Sequence, residues 1–300
     1  MTYIGTSGYS YEHWTTGATS DVLNFYPSAV KTSERLQYYA TQFNFVEINS
    51  TFYQLPSKAT VKKWYDSTPA DFRFTVKFSR YGTHSKKLVD FDKTFDDFWV
   101  NRLDALKEKC IGILIQLPPG YTFSEKASPK DQMTPLQRLR KAGEHTSQYA
   151  VPIYVEFRDP SWFNQEVYNV LAEIGWSLVC VHVNNDSGYF GAMNSGFSPS
   201  LEELSVSGRY FRCHGTKDSY KGDYDGNILL DMWLASQLQL QSTVISPPVI
   251  FAFDNTDSYH GSVEMGGQIW CRGDALTPSA VYDARILVQL TSEDHKLSTQ

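Results

Sequence analysis

Cysteine is scarce in this chain and never closely spaced. The four are Cys110, Cys180, Cys213 and Cys271. No two form a Cys-x-x-Cys unit, so neither a zinc knuckle nor a dithiol redox motif is present. Three of them flank or sit in apolar strands and read as buried thiols. Long apolar runs are missing as well, and none reaches the length of a membrane span. Met1-Thr2-Tyr3-Ile4-Gly5 enters a strand at once, without the basic and apolar regions of a secretory leader. The expectation is a soluble protein of a reducing, cytoplasmic setting, with no membrane partner. Positive charge is not in excess either. Lys and Arg number 27 against 33 Asp and Glu, a formal net charge of -6, which argues against broad electrostatic binding to nucleic acid. There is no His-Glu-x-x-His, Gly-x-Ser-x-Gly or P-loop signature. The first strand-to-helix turn, Gly5-Thr6-Ser7-Gly8-Tyr9, also lacks the Gly-x-Gly-x-x-Gly spacing of an open dinucleotide-binding sheet.

What is present is a regular alternation of strands and helices. Strands are expected at 3–7, 45–49, 72–78, 110–116, 151–156, 177–183, 210–214 and 248–253. The run 110–116 is continuously apolar and closed by Pro118-Pro119, as in a parallel strand covered on both faces. Helical spacing appears from Ser33 to Phe43 and at 58–66, 94–109, 135–142, 164–174 and 229–240. A helical segment is also expected from Gly261 onward, and another at 279–290. Eight strands, most followed by a helix and with no linker between halves, predict an α/β fold. It is a single (β/α)8 TIM barrel over residues 1–290. An irregular Gly- and Asn-rich loop follows strand six at 184–199, an extra helix closes the chain, and 291–300 reads as a flexible tail.

In such a barrel the chemistry sits at the C-terminal ends of the strands. Nearly every strand here ends in a group able to ionise or hydrogen-bond. Strand one leads to Ser7 and Tyr9; strand two to Glu47, Asn49 and Tyr53; strand three to Lys77, Arg80 and His84. Strand four ends in Gln116; strand five leads to Glu156, Arg158 and Trp162; strand seven to Arg212 and His214; strand eight to Asp254 and Asn255. Carboxylates close strands two, five and eight, and such groups are costly to bury without partners. Glu47 and Glu156 are the candidates for acid–base or metal-ligand work, with His214 and Asp254 completing the catalytic group. Arg158, Arg80 and His84 suit an anionic group, Tyr9, Tyr53 and Trp162 suit the walls, and Asn49, Lys77, Gln116, Arg212 and Asn255 suit polar contacts. A divalent metal is compatible with this set, though no particular metal is indicated.

The reading this favours is an enzyme, most simply a hydrolase, acting on a phosphorylated, sugar-like or nucleic-acid substrate. Two alternatives stand beside it. One is a binding module without chemistry, in which Arg80, Lys86, Lys87, Lys217 and Lys221 hold single-stranded nucleic acid or the pocket holds a small ligand. The other is metal-free glycoside hydrolysis by a carboxylate pair about 5 to 10 Å apart. The plainest account is structural, with Glu47, Glu156 and Arg158 forming one satisfied ion network that plugs the barrel mouth.

Read together, several segments resemble the YecE-like family, also called domain of unknown function 72. They are Gly5-Thr6-Ser7-Gly8-Tyr9 with Phe25-Tyr26-Pro27, the run from Val46 to Leu55-Pro56, and Lys77 with Arg80 and Thr83-His84. Gln116-Leu117-Pro118-Pro119, Glu156-Phe157-Arg158 with Ser161-Trp162, Arg212-Cys213-His214-Gly215 and Phe253-Asp254-Asn255 complete the set. The resemblance covers roughly residues 3–270. It implies a single TIM barrel, similar to the group containing endonuclease IV and xylose isomerase. A nucleic-acid or phosphodiester role is implied by that analogy alone. The chain departs from the family pattern at strand eight, where Asp254-Asn255 stands for two asparagines, and in Gly266-Gly267, which stands where an Asn-Ala pair is usual.

Overall fold

Alternation with a period of two sorts each strand's side chains between the inside of a barrel and the layer of helices around it. The computed structural model of the chain describes residues 1–15, 25–127, 129–182, 209–216, 222–224, 226–237, 248–254, 262–265, 268–271 and 279–297. Eight parallel strands close in chain order: β1 (Thr2–Ser7), β2 (Phe45–Ile48), β3 (Arg73–Lys77), β4 (Cys110–Gln116), β5 (Ile153–Glu156), β6 (Ser177–His182), β7 (Arg209–Cys213) and β8 (Val249–Phe253). Closure comes from β8 pairing with β1, Thr2 opposite Val249 through Thr6 opposite Phe253, so this sheet has no open edge. This is the expected (β/α)8 barrel.

Two cores follow from the alternation. Tyr3, Phe45, Leu114, Tyr154, Val179, Val181, Tyr210, Ile250 and Ala252 fill the barrel. The intervening residues, among them Val46, Ile48, Phe74, Val76, Ile113, Ile115, Phe211 and Phe251, face the helices in a larger outer core. The inward register continues upward into Ser7, Glu47, Lys77, Gln116, Glu156, Arg212 and Asp254. Apolar residues therefore fill the barrel from below, and the polar ones are delivered together at its C-terminal mouth. Cys110, Cys180 and Cys213 are buried free thiols.

The helices begin where the sequence caps them. Ser57 Oγ accepts from Thr60 N at 3.1 Å and opens Lys58–Asp66. Thr134 and Gln137 form a reciprocal capping box at the start of Pro135–Thr146. Asn164 Oδ1 accepts from Val167 N at 3.1 Å to start Gln165–Ile174, and Gly175, at φ 71°, supplies the left-handed residue that stops it. The last helix runs Ser279–Leu297. Among the described residues no helix is long and apolar enough to cross a membrane.

Two sequence expectations are corrected. The helix expected at 94–109 begins earlier, as Phe91–Phe98, and passes through a π-helical turn, Trp99–Leu103, into 3-10 turns over Asp104–Lys109. The extra residue of the π turn resets the helical phase so that Trp99, Leu103 and Leu106 are buried along with Phe91, Phe95 and Phe98. The helical segment expected from Gly261 is a strand pair, β9 (Ser262–Met265) antiparallel to β10 (Gln268–Cys271), with Met265 opposite Gln268. Ser-Val-Glu-Met alternates polar with apolar residues, Gln-Ile-Trp-Cys is rich in strand formers, and the two flank Gly266-Gly267, which is a hairpin pattern. The expected irregular loop at 184–199 and the pair Gly266-Gly267 lie outside the described residues.

One tyrosine braces the first seam of the barrel. The Tyr39 hydroxyl donates to Phe45 O at 3.1 Å and accepts from Thr6 N at 2.8 Å, inserting itself into the β1–β2 ladder. Gly5 makes room, since a Cβ there would lie 2.0 Å from Phe45 O and 2.8 Å from the Tyr39 hydroxyl. Tyr39→Phe leaves the buried Thr6 N–H without its acceptor and is expected to cost about 2 kcal/mol. Gly5→Ala forces the two strands apart and is expected to cost about 3 kcal/mol. Urea unfolding followed by circular dichroism measures both, and wild-type midpoints would contradict this account of the seam.

Candidate functional site

The mouth of the barrel is organised around one guanidinium. Arg212, from β7, is fully buried. Its Nη2 donates to Glu47 Oε1 at 2.8 Å and its Nε to Glu47 Oε2 at 2.9 Å, a two-pronged contact with β2. Its Nη1 donates to Glu156 Oε2 at 2.6 Å, and Nη2 also reaches Asp254 Oδ2 at 3.0 Å and Ser7 Oγ at 3.4 Å. Carboxylates at the ends of β2, β5 and β8 are thus held by one cation. The remaining lone pairs are met locally. Ser7 Oγ and the Tyr210 hydroxyl both donate to Glu47, the Tyr210 hydroxyl also contacts Thr75 Oγ1 at 2.8 Å, and Asn49 Nδ2 donates to Ser7 Oγ at 2.5 Å.

A second guanidinium closes the other side. Arg158 Nε donates to Glu156, and Arg158 Nη2 lies 3.1 Å from His214 Nε2. The same His214 Nε2 lies 3.1 Å from Arg212 Nη1. A nitrogen facing two guanidiniums can only accept, so the ring proton sits on Nδ1, which lies 3.2 Å from Asp254 Oδ2. Burial, and then the two arginines, push the His214 ring down from 6.5 to about 4. Burial alone would raise Glu156, but Arg158 and Arg212 overrule it and hold the carboxyl far below the usual range. Asp254 follows the same logic: burial raises it, and the His214 hydrogen bond and Arg212 bring it net downward.

Above this floor lies a cavity of about 510 Å³ lined by Gly8, Tyr9, Ser10, Tyr11, Ile48, Asn49, Ser50, Tyr53, Lys77 and Asp254. Gly8, at φ 81°, donates to Glu47 O at 2.7 Å and turns the chain into the cavity wall. The Tyr11 hydroxyl donates to Ser7 O at 2.5 Å. Lys77, at the end of β3, places its Nζ 4.6 Å from the centre of the Phe52 ring and, among the described residues, makes no hydrogen bond or ion pair. Burial, then Arg212, pushes its amine down from 10.5 to about 8, against the pull of Glu156, Glu47 and Asp254. His84 packs edge-on against the same Phe52 ring at 5.0 Å. Burial, then Lys77, Arg80 and Arg158, lower His84 from 6.5 to about 4.

Most residues expected from the sequence meet here. Glu47, Asn49, Glu156, Arg158, Arg212, His214 and Asp254 form one network, and Tyr9, Tyr53 and Lys77 line the cavity. Arg80 is exposed at the rim near His84, and Gln116 is half-buried at the end of β4, opposite Glu156. Trp162 is not brought in. It is fully buried, stacks on Phe157 at 4.6 Å, and donates its Nε1 to Tyr121 O at 2.6 Å, so its ring packs the loop after β5. Asn255 lies outside the described residues. Ser7, expected at the end of strand one, is in the network; Thr75 and Tyr210 carry hydrogen bonds that the strand ends alone did not indicate, although their period-two register with Lys77 and Arg212 is visible in the sequence. His182 faces away from the mouth, its Nδ1 2.9 Å from the Tyr224 hydroxyl. Among the described residues no group of three His, Cys, Asp or Glu side chains is arranged to hold a metal ion. The carboxylates that suggested one are taken up by Arg212 and Arg158.

Breaking a buried pair leaves an uncompensated charge, so Glu47→Gln is expected to lower unfolding stability by about 3 to 5 kcal/mol. Urea unfolding at neutral pH checks this, and a wild-type midpoint would refute it. Acid acts on the same network. The unfolded chain protonates His214 below about pH 6.5, whereas the folded protein resists down to about 4, so stability present above 6.5 is lost as the pH falls through that interval. Glu156 extends the loss further below the ordinary carboxylate range. His214→Asn should flatten the part between pH 6.5 and 4 by up to about 3 kcal/mol. Urea midpoints measured across this interval decide it; an unchanged slope in the variant would contradict the assignment.

Comparison with known proteins agrees with the fold. A family model described as "Protein of unknown function DUF72" matches residues 3–267. The UPF0759 protein YunF of Bacillus subtilis (strain 168) is 28% identical over 174 residues, 56% of this chain and 54% of that protein. The UPF0759 protein YecE of Escherichia coli (strain K12) is 32% identical over 130 residues, 43% of this chain and 41% of that protein. The matched stretch thus spans about half the length of these curated relatives, or less. A crystal structure of a DUF72 family protein from Thermotoga maritima has a TM-score of 0.67 and 24% identity, covering 97% of this chain and 99% of that one. One from Enterococcus faecalis has a TM-score of 0.65 and 18% identity, covering 97% of this chain and 95% of that one. At these identities the likeness speaks for the barrel alone, and it is the match over residues 3–267 that makes this chain a member of the DUF72 family.

Proposed function

We propose that this protein is an enzyme whose mouth cavity binds a small anionic molecule, phosphorylated or sugar-acid in character. The observation that carries the reading is Lys77. Its ammonium reaches the cavity with no carboxylate of the described residues within ion-pairing distance, although three carboxylates lie close by. Those three are bound to Arg212 and Arg158, which leaves one negative charge in the floor, and the Lys77 cation faces the ligand. Arg80 at the rim and His84 beside Phe52 extend the same side. Tyr9, Tyr11 and Tyr53 offer faces to a ring, and Asn49, Ser10 and Ser50 offer hydrogen bonds to hydroxyl groups.

The roles expected of the carboxylates shift on this reading. Glu156 is held ionised and cannot act as the acid of a glycosidase pair. Glu47 and Glu156 become positioning residues that fix Arg212, and His214 orients Asp254. Asp254 is the network carboxylate that lines the cavity, so Asp254 and Lys77 are the pair that can exchange protons with a ligand. The nucleic-acid alternative loses part of its basic surface, because Lys86 pairs with Asp90 and Lys87 with Glu125. Lys217 and Lys221 lie outside the described residues.

Titration calorimetry with inorganic phosphate and ribose 5-phosphate tests the reading. Removing a charge-assisted contact costs about 1.5 to 3 kcal/mol, so Lys77→Met should weaken binding at least about tenfold. Arg80→Met at the rim should weaken it less and reduce its salt dependence. Absence of binding by either ligand, or equal affinity in Lys77→Met, would sink the proposal.

A further inference from the structure

The chain encloses two lysine amines in quite different ways. Lys109 is buried, and its Nζ donates to Tyr65 O at 2.7 Å, Thr68 O at 2.7 Å and Thr68 Oγ1 at 3.1 Å. Those acceptors use up its three protons and stabilise it as a charged structural group. Among the described residues, the Lys77 ammonium lies over the Phe52 ring without a hydrogen-bond acceptor and opens into the cavity. An amine held without acceptors is poised to exist unprotonated, and an unprotonated amine at the end of a barrel strand is a nucleophile.

We propose that Lys77 forms an imine with the carbonyl carbon of its ligand, so that the substrate class is an anionic aldehyde or ketone. The inference rests on the anion-binding reading above and adds the reacting group. In the step, a bond forms between Nζ and the carbonyl carbon and the carbon–oxygen double bond opens. The oxygen then leaves as water, carrying the two hydrogens the neutral amine gives up. Asp254, ionised and on the same cavity wall, accepts a proton as the amine attacks and returns it to the departing hydroxyl. The imine nitrogen then takes up a proton from solvent, and the resulting iminium is an electron sink for cleavage or proton abstraction at the neighbouring carbon.

The environment makes the neutral amine far more accessible near pH 7 than in an ordinary lysine, while most copies remain charged. Arg212 from β7 opposes the ammonium, while Glu47 from β2, Glu156 from β5 and Asp254 after β8 favour it, and the nearby His84 is itself kept neutral. Burial decides the sum, and the amine titrates near 8. At pH 7 such an amine is unprotonated on the order of a hundred times more often than an ordinary surface lysine.

Reductive trapping tests this on the intact protein. The probes are glyoxylate, glycolaldehyde phosphate and ribose 5-phosphate, each with cyanoborohydride at pH 7, followed by intact mass and peptide mapping. The expected product is a single adduct on Lys77, with the mass of the probe less one oxygen. Lys77 should be labelled about a hundredfold faster than any other lysine, with Lys109 unlabelled, and half-maximal reactivity should fall near pH 8. Lys77→Arg should abolish the adduct, and mapping of the unaltered protein stands by itself if the variant fails to fold. Ribitol 5-phosphate, which keeps the charge and lacks the carbonyl, separates the two readings by calorimetry. If it and ribose 5-phosphate bind and no probe labels Lys77, the imine is refuted and the anion site stands. If neither phosphate binds and glyoxylate still labels Lys77 selectively, the imine stands and the anion site falls. Adducts spread over surface lysines refute the imine.

Discussion

Three carboxylates converge at the mouth of this barrel, and one arginine makes that tolerable. Taking an ion out of water costs several kcal/mol even after the protein relaxes, and three like charges in one place compound it. Arg212 meets the problem because its planar fork presents donors in several directions at once. It grips both oxygens of Glu47 while reaching Glu156 and Asp254. A lysine would offer a point charge without those directions. The surrounding hydroxyls of Ser7, Thr75 and Tyr210 make sense as a consequence, since each lone pair left open on a buried carboxylate would be costly.

The floor then determines what the cavity can do. Because Arg212 and Arg158 bind the three carboxylates, Lys77 makes no ion pair among the described residues. The same chain shows the opposite solution at Lys109, where carbonyl oxygens complete the ammonium. The contrast lies between an amine built into the structure and one kept available.

Strand positions and the location of the polar mouth could be read from the residues alone, because both are local signals. The apolar run at β4, stopped by Pro118-Pro119, and the helix opened by Ser57 were legible to the residue. Residue identity at the strand ends showed where polar groups gather. It suggested that Glu47, Glu156 and Arg158 share an ion network but not that Arg212 is its centre, since Glu47 and Arg212 are 165 positions apart and meet only after closure. Trp162 was ambiguous for the same reason: the carbonyl that holds its indole belongs to Tyr121, in a different loop. The π turn after Phe98 escaped because helical periodicity assumes a constant pitch. The β9–β10 pair escaped because the segment from Gly261 onward was read as helical, although Ser-Val-Glu-Met alternates with a period of two.

The separation of partners in this network also bears on how the molecule comes into being. Ser7 and Arg212 are 205 positions apart, and the ion cluster draws on β1, β2, β5, β7 and β8. A nascent barrel holding only its first half contains Glu47 without the arginine that completes it. Water must therefore keep access to that carboxylate until the late strands arrive, and the interior can dry only once β7 and β8 have docked. Completion of the ion network and closure of the sheet are then coupled, since both wait for β7 and β8.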